Sequence, residues 1–480
     1  MGFLVEADSC YQSQCSLAPP WSVDFLTNTS AKCKNFTPQC RKATRRELVE
    51  ENCVLGNILT EVLDSPQIRQ AGRDALSLAL IDARNHLLWL LDMVAGALGD
   101  PEMRVAPSTE SEPPLWLAGH AAWFAEFWIS RNPQRALGPR CPSQPTRLAS
   151  LWPTADALWN PALASREARW QSDHLDALGA APMEAAKAYM LETLEVSLDL
   201  LAKAPESDEA LYFYRLALCH EDMLCERLLV LAQSQGLAIN AKLPLLAPGV
   251  RANQARNALL FPASQWMLGT GAGAGGFAFD IEMGEHRVAV PEFEIDAQPV
   301  CWAQFVEFVD DNGYDREDLW SAHGWAWLQN MVAHDGRRAP RYVEQIGVAS
   351  GAVMQTRFGR ATRMSGAHPA MHVSWWEGQA WANWAGRRLA TEVEWEIAAT
   401  SARQRGFSWG DVHEWTAGSL QPWPGFSASP VGQSAPWFGI AKVVRGGSFA
   451  TRLRMKHPRN RGYALPERDD AFVGFRTCAV

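Results

Sequence analysis

The sequence is short of positive charge, of tyrosine and of long apolar runs. Its 44 Lys and Arg residues are outnumbered by 53 Asp and Glu, a formal net charge of −9. This balance argues against a nucleic-acid partner, because such proteins present a basic surface. The best apolar run, Leu87 to Leu98, is interrupted by Asp92, so neither a spanning helix nor a membrane partner is expected. No basic segment precedes an apolar core at the N-terminus, which predicts a cytoplasmic protein.

Composition and length indicate a globular chain of two domains with an extension. Hydrophobic residues make up 47% of the 480 residues and charged residues 20%, which argues against general disorder. The 22 Trp stand against 7 Tyr and predict either buried indoles that stabilise loops or an aromatic-lined pocket. Five of the ten Cys lie in the first 53 residues with no His among them, so a zinc site is disfavoured there. Residues 1–64 are predicted to be a poorly ordered extension.

The next segment, 65–240, carries helical periodicity. Apolar residues recur at mixed spacings of three and four, and Pro and Gly mark the ends. Four amphipathic helices over this length predict a helix bundle; we expect them at 75–98, 114–131, 183–203 and 207–235.

Beyond the bundle the composition and the spacing of apolar residues change. Residues 255–480 are rich in Gly, Pro and Trp and contain short alternating runs such as Arg287 to Ile295, which is typical of short strands joined by long loops. The fold class is therefore predicted as α+β, a bundle followed by a second domain.

Two histidines lie in the middle of predicted bundle helices. His120 and His220 could each be an ordinary core residue, but together they form a plausible inward-facing pair of metal ligands. A further ligand on the second helix would lie four residues on, and that position is Leu224. His86 on the first helix could supply a third nitrogen, or could simply form an interhelical hydrogen bond.

The acidic residues that follow His220 point elsewhere. Glu221, Asp222 and Glu226 are about 100°, 200° and 240° around the helix from it. Met223 lies on a usable face but is a soft ligand suited to copper.

Five ordered blocks of the C-terminal half resemble the formylglycine-generating-enzyme (sulfatase-modifying factor) fold, which is of C-type-lectin-like architecture. The blocks read FAFDIEMGEHRVAVPEFEIDAQPV (277–300), HPAMHVSWWEGQAWANWAGRRLATEVEWEIAA (368–399), DVHEWTAG (411–418), VVRGGSFATR (443–452) and FVGFR (472–476). Formylglycine generation itself is not expected, because that family's Cys pair is absent and only Cys478 lies near the C-terminus.

The order of bundle and second domain resembles the ergothioneine-type sulfoxide synthases, which join a DinB-like bundle to such a domain. Within that group the segments 293–320 and 466–480 look most like selenoneine synthases. The resemblance implies a non-haem Fe(II) held by three histidines. It also implies O2 as oxidant, hercynine as substrate, and a selenosugar or thiol as donor of the selenium or sulfur that joins the imidazole C2.

Two residues depart from the family pattern. The first ligand of the family corresponds to His120, and its His-x-x-x-His corresponds to His220 and Leu224, so one ligand is missing. A tyrosine that acts as an acid in some members corresponds to Trp423 in QPWPGF, and an indole N–H cannot take that role at neutral pH.

The substrate pocket is expected between the two domains. Aromatic faces and carboxylates suit the trimethylammonium of hercynine, and guanidinium groups suit a sugar-type or anionic donor; the candidates are Trp415, Trp423, Tyr463, Asp469, Asp470, Arg166 and Arg169. Three hypotheses remain: an iron-dependent synthase with an atypical site, an inactive relative that binds hercynine, and a copper site completed by Met223 or Cys219.

Overall fold

The computed structural model describes most of the chain from residue 63 onward. The described ranges are 63–100, 103–108, 110–144, 146–171, 177–239, 257–271, 273–347 and 352–480. Nearly all of the predicted extension over 1–64 therefore lies outside the described residues, as do its five cysteines. The connection between the two predicted domains, 240–256, lies outside them as well.

The first part of the described chain is a four-helix bundle. Its long helices are α1 (Arg73–Leu98), α2 (Pro114–Ala125), α4 (Pro182–Ala202) and α5 (Asp208–Ser234), and the short α3 (Ala155–Trp159) lies between α2 and α4. Proline begins α2 and α4, where its missing N–H costs no helical hydrogen bond. Each long helix starts and ends within two residues of its predicted bounds, apart from α2, whose last predicted residues 126–130 form a wider π-helical turn.

One buried arginine joins three of these helices. Arg84 of α1 donates to both carboxylate oxygens of Glu221 on α5, at 2.6 and 3.0 Å. The same guanidinium donates to the carbonyl of Met190 and, at 3.4 Å, to the hydroxyl of Thr193, both on α4. Because a buried cation must be paired, this group fixes the relative positions of α1, α4 and α5.

The second part consists of short strands in four sheets. The strands are β1 (Ala258–Phe261), β2 (Ser264–Leu268), β3 (His286–Val290), β4 (Phe293–Asp296), β5 (Val343–Gly347), β6 (Ala352–Arg357), β7 (Arg360–Met364), β8 (Arg387–Leu389), β9 (His413–Ser419), β10 (Lys442–Gly446), β11 (Arg461–Ala464), β12 (Val473–Phe475) and β13 (Thr477–Ala479). The orders are β1-β4-β13-β8, β11-β10-β9-β12, β2-β3 and β5-β6-β7. Only β12 and β9 pair in parallel among these strands.

Four helices and many indoles build the core of this second part. The helices are α6 (Trp302–Asp310), α7 (Ala322–Asp335), α8 (Trp375–Trp384) and α9 (Glu392–Ser401). Trp302, Trp381, Trp395 and Trp415 are fully buried. The predicted α+β class, with a strand-rich C-terminal region, is confirmed. These four tryptophans are part of the hydrophobic core.

Residues 66–480 form one compact unit, so the bundle and the strand-rich part share an interface. Helix α5 supplies much of it: Asp222 accepts from Arg454 at 2.7 and 2.8 Å. One turn on, the Glu226 carboxylate accepts from the hydroxyls of Ser448 and Thr451 at 2.5 and 2.7 Å.

Candidate functional site

The structure brings His120 of α2 and His220 of α5 together in the bundle. Their ring centroids are 5.2 Å apart and their planes lie at 72°, and both side chains are buried. The two rings therefore lie beside each other on facing helices, and their role as metal ligands stays a prediction.

Both imidazoles are held in the neutral form. Burial lowers the pKa of His120 to about 4 and lowers that of His220 as well, because a charged ring would be poorly solvated there. The Nδ1 of His120 lies 2.9 Å from the carbonyl of Trp159; since a carbonyl only accepts, this nitrogen carries the proton and Nε2 keeps its lone pair. The Nε2 of His220 is buried, with no hydrogen-bond partner in the described part of the chain. Neutral rings with a free nitrogen are what a metal requires.

A glycine allows the hydrogen bond to His120. A Cβ on Gly119 would lie 2.0 Å from the indole Nε1 of Trp159, closer than any side chain tolerates. The absence of a side chain at this one position lets Trp159 approach α2, so that its carbonyl meets the imidazole.

Aromatic rings enclose the pair. Trp116 stacks on His120 at 4.5 Å between centroids, and Phe124 stacks on His220 at 3.9 Å. Trp123 lies 5.5 Å from His120 on another side. These rings exclude water from the imidazoles, which strengthens electrostatic interactions at this centre.

The third ligand position has no donor. Leu224, four residues after His220, is buried. The His86 ring stacks on Trp89 at 5.6 Å, and the charges acting on it are those of Arg452, Asp82 and Arg454. The structure thus does not bring His86 to the pair, because it lies on the part of α1 that faces the strand-rich region. Among the described residues, no three His, Cys, Asp or Glu side chains group as a metal site.

The acidic residues of α5 point away from the pair, as the helical geometry predicted. Glu221 pairs with Arg84 inside the bundle, and Asp222 and Glu226 contact the strand-rich part. Cys219 interacts electrostatically with Arg69, Asp222, Glu282 and Arg454, and burial raises the pKa of its thiol to about 12. These neighbours belong to the interface and differ from those of His220, so nothing places Cys219 as a soft ligand beside the histidines.

Arg166 and Arg169 share a carboxylate close to the pair. Arg169 donates to Glu112 at 2.8 Å and lies 4.0 Å above the ring of Trp116, which itself stacks on His120. Arg166 lies 3.8 Å from the same carboxylate. The second oxygen of Glu112 and the indole N–H of Trp116 are buried without a partner in the described ranges, so polar groups that could meet a ligand accumulate here.

Three of the predicted substrate residues lie in the strand-rich part, not in the bundle. Tyr463 is half-buried and donates to the carbonyl of Gln433 at 3.2 Å. Asp469 is paired with two arginines, Arg337 and Arg341, at 2.5 and 3.0 Å. Asp470 accepts both hydrogen bonds of Arg468, at 2.5 and 2.7 Å. Both carboxylates are therefore engaged by arginines instead of facing a trimethylammonium group directly.

The two predicted tryptophans lie in the interior of the strand-rich part. Trp415 is 1% exposed and donates to the carbonyl of Val373 at 2.8 Å, so it offers no face to a ligand. Trp423 is 7% exposed, donates to Glu392 at 3.3 Å and packs under Arg461. Burial and an engaged indole N–H place these two side chains in the core, so their role in substrate binding stays a prediction.

Sequence reasoning missed Arg227. This residue follows His220 by seven positions, about 700° or nearly two full turns, and so lies on the same face of α5. Its positive charge lowers the pKa of both His120 and His220. The seven-residue spacing is visible in the sequence, but a single arginine on an amphipathic helix does not by itself indicate a site.

The C-terminal region and the whole chain both have recognisable relatives. Residues 248–411 and 408–479 match the family described as "Sulfatase-modifying factor enzyme 1-like domain". Three similar proteins are each named hercynine oxygenase. That of Mycolicibacterium smegmatis is 30% identical over 457 residues, 84% of this chain and 98% of that protein. That of Mycolicibacterium thermoresistibile is 29% identical over 457 residues (84% and 94%), and that of Mycobacterium tuberculosis is 30% identical over 453 residues (84% and 98%).

The chain belongs to the hercynine oxygenase family. The resemblance to ergothioneine-type synthases is thereby confirmed, and the similarity covers 84% of this chain. Within the described residues no helix is both long and apolar enough to cross a membrane.

Proposed function

We propose that this protein is an ergothioneine-type hercynine oxygenase that joins sulfur or selenium to the imidazole C2 of hercynine. Similarity to hercynine oxygenases over 84% of the chain supports the substrate. The observation that carries the proposal is the neutral His120–His220 pair within the aromatic enclosure.

The proposed reaction balances with O2 as the oxidant. Hercynine loses the hydrogen on C2, the thiol or selenol loses its hydrogen, and a C–S or C–Se bond forms. One oxygen atom of O2 remains on the sulfur or selenium, and the other leaves as water with the two hydrogens. No further reductant is required.

The donor set fits a divalent metal in part. His120 and His220 offer two imidazole nitrogens, and the Trp159 carbonyl orients the first ring. Leu224 cannot be a ligand, so iron would be held by two protein side chains. Bound Fe(II) would supply the site of O2 activation. The chain's own residues orient the imidazoles, exclude water through Trp116 and Phe124 and position the substrates.

Leu224 also supports a second candidate function. Its buried alkyl group stands at the position where the family has its third histidine, which would weaken metal affinity. A family member that binds hercynine without oxidising it would keep the aromatic enclosure and need no complete metal site.

Fe(II) titration of anaerobic protein separates the two candidates. We expect about one Fe(II) per chain, and we expect that His120→Ala and His220→Ala each abolish binding. His334→Ala is the matched control, because His334 is exposed on α7 and should leave the stoichiometry unchanged.

Turnover is then measured with hercynine, O2 and either cysteine or a selenosugar selenol. Product that contains a C2–S or C2–Se bond supports the oxygenase. Tight binding of hercynine without Fe(II) and without product would support the inactive binder and contradict the oxygenase.

A further inference from the structure

An unpaired arginine faces the histidine pair from the same helix. Arg227 makes no hydrogen bond and no ion pair with any residue of the described chain. Its side chain is exposed, and yet the surrounding protein displaces enough water to lower its pKa. The guanidinium is thus accessible to a ligand and at the same time closely surrounded by protein atoms.

The titratable groups that act on Arg227 come from both parts of the chain. Arg166 and Glu112 belong to the bundle, and Arg468 and Tyr463 belong to the strand-rich part. Arg227 therefore lies between the two parts, beside the site at which the histidines meet.

This neighbourhood is rich in arginine, and one of its guanidinium groups is unpaired among the described residues. We name as the arginine cluster the four residues Arg166, Arg169, Arg227 and Arg468. The carboxylates paired with them are already engaged: Glu112 is shared by Arg166 and Arg169, and Asp470 accepts from Arg468, on which Glu110 and Asp469 also act. Arg227 itself has no ion-pair partner among the described residues: the nearby Glu112 raises its pKa but is already paired with Arg169, and like charges from Arg468 and Arg166 lower that pKa. An uncompensated cation in such a place favours an anionic ligand.

The position of Arg227 sets the size of that ligand. Its Cα lies about 10 Å along the axis of α5 from that of His220. Side chains on a helix incline toward its N-terminus, which brings the guanidinium back toward the histidines. A small amino-acid betaine could therefore place its imidazole near the histidines and its carboxylate on Arg227.

We propose that Arg227 binds a substrate carboxylate through paired N–H donors and so determines which substrates enter the site. The inference rests on the proposed function and names the group of the substrate that the protein recognises. Arg227 is a specificity residue, and the carboxylate is either that of hercynine or that of an amino-acid thiol donor.

Anaerobic calorimetry on the full-length protein tests the proposal. We expect Arg227→Gln to weaken hercynine binding about 10- to 100-fold, the range for a lost charge-assisted hydrogen bond. Decarboxylated hercynine, N,N,N-trimethylhistamine, should bind the wild-type protein and Arg227→Gln equally. Arg227→Lys keeps the charge without the paired donors and should recover part of the affinity. Arg360→Gln, an exposed arginine on β7, should change nothing.

Two controls distinguish the sources of the carboxylate and the effects on folding. If Arg227→Gln leaves hercynine binding intact but weakens cysteine relative to cysteamine on the hercynine-loaded protein, the recognised carboxylate belongs to the donor. The thermal midpoint of Arg227→Gln should equal or exceed that of the wild type, because an unpaired cation contributes no native contact.

The binding measurements distinguish a failure of the Arg227 proposal from a failure of the proposed function. Equal binding of hercynine and cysteine by the wild type and Arg227→Gln would overturn the inference and leave the proposed function standing. Failure of the wild type to bind hercynine at all would overturn the proposed function, and the inference with it.

Discussion

The guanidinium of Arg454 donates to both carboxylate oxygens of Asp222, two residues after His220 on α5. Both side chains are buried. The helix that carries one of the two histidines is thus joined to the strand-rich part by an ion pair that water does not screen.

Asp222→Asn should lower the free energy of unfolding by about 3–5 kcal/mol, because it leaves a buried arginine without its full counter-charge. Denaturant unfolding at pH 7 measures the change. The control is Asp318→Asn, which removes an exposed pair with Arg316 and should cost less than about 1 kcal/mol. Equal losses in the two variants would mean that burial of the Asp222 pair has no bearing on its contribution.

Gly119→Ala should disturb the orientation of His120. A Cβ at this position would overlap the Trp159 indole, so Trp159 must move and its carbonyl must leave the imidazole. We expect a loss of about 1–3 kcal/mol in unfolding free energy and weaker Fe(II) binding. Gly96→Ala on α1 is the matched control, because no atom lies within 4 Å of a Cβ built at this position. This substitution should raise the free energy of unfolding by about 0.5–1 kcal/mol. If Gly119→Ala binds Fe(II) like the wild type, the role given to Trp159 is wrong.

Acid should weaken the contact between α5 and the strand-rich part through Glu226. Hydrogen bonds from Ser448 and Thr451 and the nearby His413 overcome the desolvation of this carboxylate and lower its pKa to about 2. The folded pKa lies below the unfolded one, so its contribution is present above about pH 4.5 and is lost as the pH falls toward 2.

The unfolding free energies of the wild type and Glu226→Gln should therefore differ at pH 6 and converge on acidification. Comparing the two proteins cancels the titration of the other carboxylates. Glu467→Gln, an exposed residue, should track the wild type throughout. A difference that is constant from pH 6 to 3 would contradict the lowered pKa.

Leu224→His should restore a third nitrogen. Position 224 follows His220 by one helical turn and faces the same way, so Fe(II) affinity should rise at least 10-fold in anaerobic titrations. His120→Ala in the same background should cancel the gain. If Leu224→His alone binds no more Fe(II) than the wild type, then the loss of this one ligand is not what sets the protein's affinity.

The helices and the histidine pair were predictable because their signals are local. Proline at the start of α2 and a left-handed Gly99 after α1 mark helix ends in any context. Two histidines on facing helices are brought together by the packing of the bundle alone.

The surroundings of the other candidate residues depend on contacts that are distant along the chain. Trp415 and Trp423 were candidates because aromatic faces suit a trimethylammonium group, but the sequence does not reveal which indoles the strands bury. His86 lies near Arg452 and Arg454, which are some 370 residues away along the chain. The spacing of apolar residues in α1 cannot predict such a distant neighbour. The surroundings of Arg227 include Arg468 and Tyr463 of the strand-rich part, and nothing in the local sequence of α5 indicates them.

Helix α5 uses three of its faces for three separate purposes. Glu221 is held by the bundle, Asp222 and Glu226 by the strand-rich part, and His220, Leu224 and Arg227 share the remaining face. The ion pairs on the first two faces set the rotation of the helix about its axis without any contribution from the third. Residues on that third face are thus free to change while the helix stays in place. Substitutions at 224 or 227 can therefore alter the chemistry of this face without rebuilding the architecture.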